Sequence, residues 1–304
     1  MNMRIIYILL SAMLMASCGR SYKEEQELAR AESIRLAKED SAALKIGIIP
    51  TLDCLPLMVA KELCLFDSTG SDIRLKAFTS QLDCDDALMK GKIEGSVTDV
   101  VKAEWMKRKG FQLHYFSGTN AAWKLITNRM ARISEMKQMS DKMVAMARFS
   151  ATHLLAEMCT DSAKLKRDNV FLVQINDPNV CLKMLKNNEM DAMILPEPQA
   201  TTAVIWKNPV MMDTQSKDIR LGCIVFEETS TLSQARRRQL ADFTKAYNAA
   251  VDSINKHGIK NYADIIADYT KADKATIDRL PKTTFTHAAP PREKDLNMAR
   301  RWLK

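Results

Sequence analysis

Short apolar runs alternate with helix-spaced segments along residues 44–226, and this alternation constrains the fold more than any other feature of the chain. The run at 45–49 ends at Pro50, and residues 55–65 then carry apolar side chains at helical spacing. Residues 73–78 alternate apolar and polar side chains as a half-buried strand does. Because strands separated by helices need crossover connections, the pattern predicts an α/β fold with a parallel sheet covered by helices on both faces.

The alternation occurs as two successive units followed by a helical tail. Candidate strands of the two units lie at 45–49, 73–78, 96–98 and 112–117, and at 123–127, 142–147, 170–175 and 192–195. One more strand, at 219–226, precedes a long helix at 233–256. We therefore expect two Rossmann-like lobes. Residues 44–120 and 219–304 form lobe 1 in this interpretation, and residues 121–218 form lobe 2.

The N-terminus predicts export and a lipid anchor. Arg4 precedes an apolar run at 5–10 that is too short to span a bilayer, and small residues then lead to Cys18. This arrangement resembles a lipobox, in which residues 1–17 are removed as a signal peptide and the thiol of Cys18 carries the lipid. A plain signal peptide that contains a cysteine is the alternative. Residues 18–43 are polar and helix-prone, and we interpret them as a tether to the cell envelope, on the periplasmic side or the cell surface.

Composition and charge argue against several classes of protein. The 304 residues are 46% hydrophobic, which is too apolar for a disordered chain. The formal net charge of +8 comes from scattered basic residues, and the one dense run, Arg236–Arg238, has the pattern of a solvated helix face. We therefore expect no nucleic-acid partner. Beyond Cys18, six cysteines form neither a CxxC pair nor a zinc pattern, so no metal or cofactor is predicted.

Loops at the carboxyl ends of the predicted strands are rich in short polar side chains. Ligands of open parallel sheets lie at these ends, beside helix N-termini. Helix capping is the alternative for any single residue, but six such loops from both units would converge on one cleft. The candidate ligand-binding residues are Thr51, Leu52, Asp53, Gln81, Leu82, Asp83, Thr98, Asp99, Asn120, Arg148, Ser150, Thr152, His153, Asn176 and Glu197.

The order of the motifs resembles a known family. Residues 47–51, 55–62, 65–67, 87–92 and 95–99, together with 191–198, are similar to the type 2 periplasmic-binding superfamily. The chain looks most like the nitrate/sulfonate/taurine and thiamine-precursor (NMT1/THI5-like) branch of the substrate-binding proteins of ABC transporters. The resemblance covers most of residues 44–304.

The resemblance implies a function and a set of binding positions. It implies two lobes that close about a hinge over a small molecule, a monomer, and hand-over of that molecule to an ABC permease. Family binding positions match Thr51, Leu52, Asp53, Gln81, Leu82, Thr98, Asp99, Ser150, Thr152 and Glu197. Cys64 replaces the usual family glycine before Leu65 and Phe66, and pyrimidine-forming chemistry is not carried over because its cysteine-rich motif is absent.

The candidate residues predict a ligand with both donor and acceptor groups. Arg148 and a helix that starts at Ser150 favour an anionic group. Carboxylates at Asp53, Asp83, Asp99 and Glu197 favour an amine or a ring N–H donor. Together they suit a zwitterion or a polar heterocycle.

The tripeptide Leu-Asp-Cys occurs twice, at 52–54 and 82–84, in loops that we expect to be neighbours. Coincidence in two helix-starting loops is one interpretation. A Cys54–Cys84 disulfide is another, and it requires Cα atoms within about 7 Å. A thiolate–carboxylate metal site is the third, although no histidine lies nearby in the sequence.

Two other functions compete with transport. The four histidines form no HExxH pair, and no GxSxG, P-loop or GxGxxG motif occurs, so we do not expect an enzyme. A lipoprotein that binds a nutrient without a dedicated permease stays open, because Lys23-Glu24-Glu25 resembles acidic surface-export signals of some lipoproteins.

Overall fold

The computed structural model describes residues 22–231 and 233–304. The predicted signal peptide at 1–17 and the predicted lipid attachment at Cys18 lie outside these described residues. The chain divides into two compact units, Met1–Ala43 and Leu44–Lys304. None of the helices in the described ranges is long and apolar enough to span a bilayer.

Helix α1, Tyr22–Ala42, occupies the segment that the sequence analysis interprets as a tether. Its described side chains are almost all exposed, as expected for a segment without an apolar stripe. Arg35 lies 4.0 Å from Glu32 and 3.8 Å from Glu39, at the i,i+3 and i,i+4 spacings that support a solvated helix. The segment is therefore helical, and its role as a tether stays a prediction.

The unit from Leu44 to Lys304 contains two five-stranded sheets. The first sheet has the strand order β2-β1-β3-β10-β4 and the second has the order β7-β6-β8-β5-β9. The strands of the first sheet are β1 Leu44–Ile48, β2 Ile73–Ala77, β3 Gly95–Asp99, β4 Leu113–Gly118 and β10 Gly222–Glu227. Those of the second sheet are β5 Trp123–Thr127, β6 Lys142–Met146, β7 Val170–Gln174, β8 Ala192–Pro196 and β9 Val210–Asp213.

The α/β fold class predicted from the alternation is confirmed, but the prediction of parallel sheets is wrong for two strands. β10 is antiparallel to both of its neighbours, and so is β5. The start of β10, Gly222, pairs with the end of β3, Asp99, and the start of β5, Trp123, pairs with the end of β8, Pro196. A strand that enters a sheet at the edge where the parallel strands end must run opposite to them.

Helices cover the two sheets, and their segments follow the predicted ones closely. Those before β10 are α2 Leu55–Glu62, α3 Gln81–Met89, α4 Val100–Arg108, α5 Ala151–Ser162, α6 Pro178–Lys186 and α7 Gln199–Ile205. Those after it are α8 Gln234–His257, α9 Ala263–Thr270, α10 Lys274–Arg279 and α11 Glu293–Trp302. The predicted first helix, 55–65, ends three residues early. Cys64, which stands where the family has glycine, has φ +53°, a left-handed conformation common just after a helix.

The sheets are held by cores that leave little space at their central strands. β1 and β3 are buried along their whole length, as expected for strands covered on both faces. A Cβ atom on Gly47 of β1 would lie 2.3 Å from Cys84 Sγ, and one on Gly95 of β3 would lie 2.5 Å from the ring of Phe226. These two glycines let side chains from the neighbouring layer contact the sheet directly. The carboxyl ends of the same strands are the ones that carry the polar loops.

Candidate functional site

A pocket lies where the strand ends of the two sheets meet. The space free of protein atoms in and around it is about 680 Å³, part of which is open solvent. The loops after β1, β6 and β7, the carboxyl-terminal parts of β3 and β8, the start of α3 and the start of β5 all contribute to the pocket. Its walls are formed by Ile49, Thr51, Asp53, Gln81, Val97, Thr98, Asp99, Trp123, Met146, Ala147, Ser150, Thr152, Ile175, Asn176, Pro178, Cys181, Ile194 and Pro196.

Asp53 contributes a buried carboxylate to this pocket. Its Oδ1 accepts a 2.6 Å hydrogen bond from Thr51 Oγ1, and its Oδ2 accepts a 2.8 Å bond from Thr119 Oγ1. Burial raises the pKa of Asp53, and the two hydroxyl donors oppose that rise only in part. The hydroxyls hold the carboxylate in place without neutralising it.

Asp99 contributes a second buried carboxylate, at the carboxyl end of β3. As the N-cap of α4, it accepts a 2.8 Å hydrogen bond from the backbone N–H of Lys102. The backbone N–H of Ala151, at the start of α5, also lowers the pKa of this carboxylate. Burial raises the pKa of Asp99, while these N–H donors lower it. Asp99 therefore caps α4 of the first sheet and lies near the N-terminus of α5, which follows a strand of the second sheet.

A third buried acid, Asp85, lies behind the pocket wall, and the sequence analysis did not select it. Gln81 Nε2 donates a 2.8 Å hydrogen bond to Asp85 Oδ1, while Asp85 Oδ2 has no hydrogen-bond partner. Lys102 Nζ lies 4.0 Å from Oδ2. Burial raises the pKa of Asp85 to about 7, with Lys102 the main opposing influence. The feature of the sequence that could have identified Asp85 is its i,i+4 spacing from Gln81 on one helix.

The second sheet supplies hydroxyl groups that are already paired and a largely apolar wall. Ser150 Oγ donates a 2.7 Å bond to the carbonyl of Ala147, and Thr152 Oγ1 accepts a 2.8 Å bond from the Ala147 N–H. Ser150 is also the N-cap of α5. Trp123, Met146, Ile175 and Ile194 line the same side of the pocket. Ser150 therefore caps α5 and lines the pocket, whereas Thr152 lines the pocket without capping the helix.

Three hydrogen bonds join strand-end loops of the two sheets. The Leu52 N–H donates to the carbonyl of Glu197 at 2.8 Å, and Gln199 Nε2 donates to the carbonyl of Pro50 at 3.0 Å. Lys102 Nζ donates to the carbonyl of Arg148 at 2.8 Å. The last pair consists of one residue on α4 and one in the loop after β6. These bonds bring the two halves of the pocket wall together.

The structure brings most of the predicted site residues together. Eight of them line the pocket: Thr51, Asp53, Gln81, Thr98, Asp99, Ser150, Thr152 and Asn176. Three more, Leu52, Asn120 and Glu197, line a smaller cavity that shares Asp53 and Pro196 with the pocket. Glu197 is paired there with Lys124 at 2.7 Å.

Four predicted residues lie outside the pocket lining, and sequence position alone could not reveal this. The side chain of Leu82 is exposed, and that of Asp83 accepts a hydrogen bond from Ser80 on the outer side of α3. Arg148 is exposed and meets the site only through its backbone carbonyl. His153 accepts a hydrogen bond from the Phe149 N–H and lies 3.5 Å from Glu157. In a tight loop, successive side chains point in different directions, so a residue next to a lining residue in the sequence need not line the pocket itself.

The repeated tripeptide does not form a disulfide in this structure. Cys54 and Cys84 are both free and buried. Cys54 Sγ lies 3.6 Å from Thr51 Oγ1, and Cys84 Sγ lies 3.1 Å from Ser96 Oγ. Among the residues in the described ranges, no group of three His, Cys, Asp or Glu is placed to hold a metal ion. The geometry favours the first of the three interpretations, two buried thiols in helix-starting loops.

Residues 37–111 match the NMT1-like family. The nitrate import ATP-binding protein NrtC of Synechococcus elongatus is 31% identical over 62 residues, which is 20% of this chain. The match covers only 9% of that relative's own length.

Solved structures of binding proteins have the same fold. The alkanesulfonate-binding protein SsuA from Xanthomonas axonopodis pv. citri superposes with a TM-score of 0.74 at 14% identity, over 86% of this chain and 91% of that one. The periplasmic aliphatic sulphonate binding protein SsuA from Escherichia coli gives 0.71 at 15% identity, over 86% and 87%. The periplasmic nitrate-binding protein NrtA from Synechocystis PCC 6803 gives 0.67 at 14% identity, over 83% and 74%. SsuA and NrtA are binding proteins and not enzymes.

The predicted resemblance is thus confirmed at the level of family match and fold. The chain carries an NMT1-like segment at residues 37–111 within the α/β fold of the periplasmic binding proteins.

Proposed function

We propose that this chain is the solute-binding component of an ABC import system, and that it captures a small polar molecule in the pocket described above. Residues 44–120 with 219–304 form lobe 1 in this proposal, and residues 121–218 form lobe 2. The observation that supports it is the convergence of strand-end loops from both sheets on one pocket. Pockets of this kind, apolar with a few fixed polar groups, are typical of small-molecule sites.

The proposal has two further parts. Lipid on Cys18 holds the protein at the periplasmic side of a membrane or at the cell surface, and the captured molecule passes to an ABC permease. The family match and the names of the similar proteins support the transport role. Substitution of the proposed attachment site tests the anchor. With Cys18→Ser, the protein should leave the membrane fraction and lose incorporated fatty acid. The matched control is Cys64→Ser, which removes an exposed thiol in a different part of the chain.

Retention of a small molecule by the full chain is the direct test of capture. Protein purified from its own cells should carry a bound solute in native mass spectrometry, or acquire one from a cell extract. Ala147→Phe places a ring in the pocket and should abolish retention, whereas Ala241→Phe, on an exposed position of α8, should not. If both variants are folded by circular dichroism and retain the solute equally, the solute does not bind in this pocket.

Hand-over to a permease separates transport from simple nutrient binding. The loaded protein should stimulate ATP hydrolysis by the cognate permease in proteoliposomes, and Ala147→Phe should not. If no permease responds and proteases remove the protein from intact cells, the surface-lipoprotein alternative suggested by Lys23-Glu24-Glu25 is favoured instead.

A further inference from the structure

We infer that the captured solute is a small organic cation, whose ammonium or amidinium group binds Asp53 and Asp99 while its apolar body contacts the second-sheet side of the pocket. This inference rests on the proposed function, because it names the chemical class of the molecule that the pocket takes. It excludes simple oxyanions as the physiological ligand.

The first step is the distribution of buried charge around the pocket. Lys102 lies 4.0 Å from Asp85, and Lys124 lies 2.7 Å from Glu197, so each lysine has a carboxylate partner. Asp53 and Asp99 line the pocket and form no ion pair within 4.0 Å among the described residues. No lysine, arginine or histidine is among the lining residues of the described pocket. Two carboxylates therefore face the ligand space with no cation in the described lining, and Lys102 acts on Asp99 without forming an ion pair with it.

The three acids lie around the start of β10. Gly222 pairs with Asp99, and Thr98 donates a 3.5 Å hydrogen bond to Asp85 Oδ1. Thr119 donates its N–H to the Gly222 carbonyl and its hydroxyl to Asp53. Cys223 lies on β10 and pairs with Thr98. Burial is the main cause of the raised pKa of its thiol, and Asp99, Asp53 and Asp85 raise it further. One thiol thus lies within the field of all three carboxylates, and the single charge of Lys102 acts on both Asp85 and Asp99. A buried charge without a counter-charge is costly, and a cationic ligand would supply that counter-charge at Asp53 and Asp99.

The second step concerns the place where an anion would be expected. The N-terminus of α5 faces the pocket, and helix N-termini attract anions. Here the Asp99 carboxylate already lies near the Ala151 N–H at that terminus, and the Thr152 N–H donates to Ser150 Oγ. An oxyanion at this position would lie beside the Asp99 carboxylate, and the two negative charges would repel each other. The sequence-based expectation of an anionic group held by Arg148 also fails on geometry, since that side chain is exposed.

The third step is the nature of the remaining wall. Trp123, Met146, Ile175, Ile194 and Pro196 give the pocket a mainly apolar surface. Tryptophan is the aromatic ring that attracts cations best. An alkyl or aromatic amine presents both an apolar body and a charged donor group, and so matches carboxylates on one side and apolar groups on the other. At 14–15% identity to the sulfonate- and nitrate-binding proteins, the shared fold does not fix the charge of the ligand.

A matched panel of amines and sulfonates tests the inference on the full chain. The unfolding temperature is measured at constant ionic strength with benzylamine, butylamine, benzenesulfonate, butanesulfonate and nitrate, each at about 10 mM. Ligands with a Kd near 1 mM raise the unfolding temperature by about 2 °C or more under these conditions. We expect stabilisation by at least one amine and by none of the anions.

Carboxamide variants assign the effect to the two carboxylates. Asp53→Asn and Asp99→Asn should each weaken amine binding by about 10- to 100-fold, measured by calorimetry. Asp83→Asn, on the outer side of α3, is the control and should bind the amine as the wild type does.

The outcomes distinguish the cation inference from the capture proposal and from the assignment to Asp53 and Asp99. Stabilisation by a sulfonate or nitrate without any amine overturns the cation inference and leaves the capture proposal intact. No stabilisation by any amine also overturns it, while retention of a solute in native mass spectrometry still decides capture separately. Equal amine binding by the wild type and both carboxamide variants overturns the assignment to Asp53 and Asp99.

Discussion

The ammonium group of Lys102 donates a 2.8 Å hydrogen bond to the main-chain carbonyl of Arg148. Lys102 lies on α4, which follows β3 of the first sheet, and Arg148 lies in the loop after β6 of the second. The same ammonium is 4.0 Å from Asp85 Oδ2 and 4.9 Å from the centre of the Trp105 ring. One buried cation therefore partly compensates a buried acid and joins the loops of the two sheets.

Replacing this lysine should destabilise the fold strongly. Lys102→Met keeps the apolar stem but leaves Asp85 without its cation, and removal of one partner of a buried pair costs about 3–5 kcal/mol when the other stays charged. Because Asp85 can take up a proton, we expect a loss of about 2–4 kcal/mol in the free energy of unfolding by urea. Lys90→Met removes an exposed pair with Asp86 and should cost less than about 1 kcal/mol. Equal losses in the two variants would contradict the structural role of Lys102.

Asp85 should make stability fall as the pH rises from about 4 to about 7. Its pKa is raised from 3.8 to about 7 in the folded protein, so in this range the folded state binds more protons than the unfolded state. The stabilising contribution is complete below the unfolded pKa and is lost as the pH passes through the folded pKa. Asp85→Asn removes this dependence and keeps an acceptor for Gln81.

The pH effect is measured as a difference between wild type and Asp85→Asn. Urea unfolding at about pH 4.5, 6 and 7.5 should show the variant gaining on the wild type by up to about 3 kcal/mol across the range. Other titrating groups contribute similarly to both proteins and largely cancel. Parallel stability curves would show that Asp85 does not titrate there.

Gly47 should tolerate no side chain at the centre of the first sheet. In Gly47→Ala the new Cβ would lie 2.3 Å from Cys84 Sγ and 2.7 Å from Ile93 Cδ1, which are both in the core. Overpacking of this kind costs about 1–3 kcal/mol. Gly118→Ala, whose Cβ would meet its nearest neighbour at 3.5 Å, is the matched control and should lose about 0.5 kcal/mol or less. The check is the unfolding temperature of each variant, and a similar loss in both would refute the packing argument.

Among the cysteines of residues 22–231 and 233–304, thiol labelling should distinguish one exposed cysteine from five buried ones. Cys64 is exposed, whereas the buried set is Cys54, Cys84, Cys159, Cys181 and Cys223. Burial raises the pKa of Cys159 to about 11 and that of Cys84 to about 12, so their thiolates are scarce at neutral pH. In the native protein, Ellman's reagent should label Cys64 fast, and Cys64→Ser should remove that phase.

The buried thiols should react only after unfolding, with or without prior reduction. Two thiols that appear in the unfolded protein only after reduction would instead indicate a disulfide, with Cys54 and Cys84 as the first pair to test by substitution.

Periodicity was sufficient to predict most of the elements, because burial imposes it directly on the sequence. A strand that is buried on both faces is mostly apolar, as β8 is, and a helix against a sheet repeats its apolar residues at helical spacing. β9, Val210–Asp213, was missed because it is short and partly exposed. The antiparallel direction of β5 and β10 was missed because strand pattern carries no information on which neighbour a strand pairs with.

The amino-acid sequence by itself determined the α/β alternation, the two groups of strands and the polar strand-end loops that meet at one pocket. The tertiary structure decided which of these polar residues share the pocket and which charges cancel. It turned Arg148 and His153 away, brought Lys102 to Asp85, and left Asp53 and Asp99 in the lining without a cation. The reason is physical: local pattern reports whether a residue is buried, whereas its charge partners come from distant parts of the chain and are fixed only when the two sheets pack.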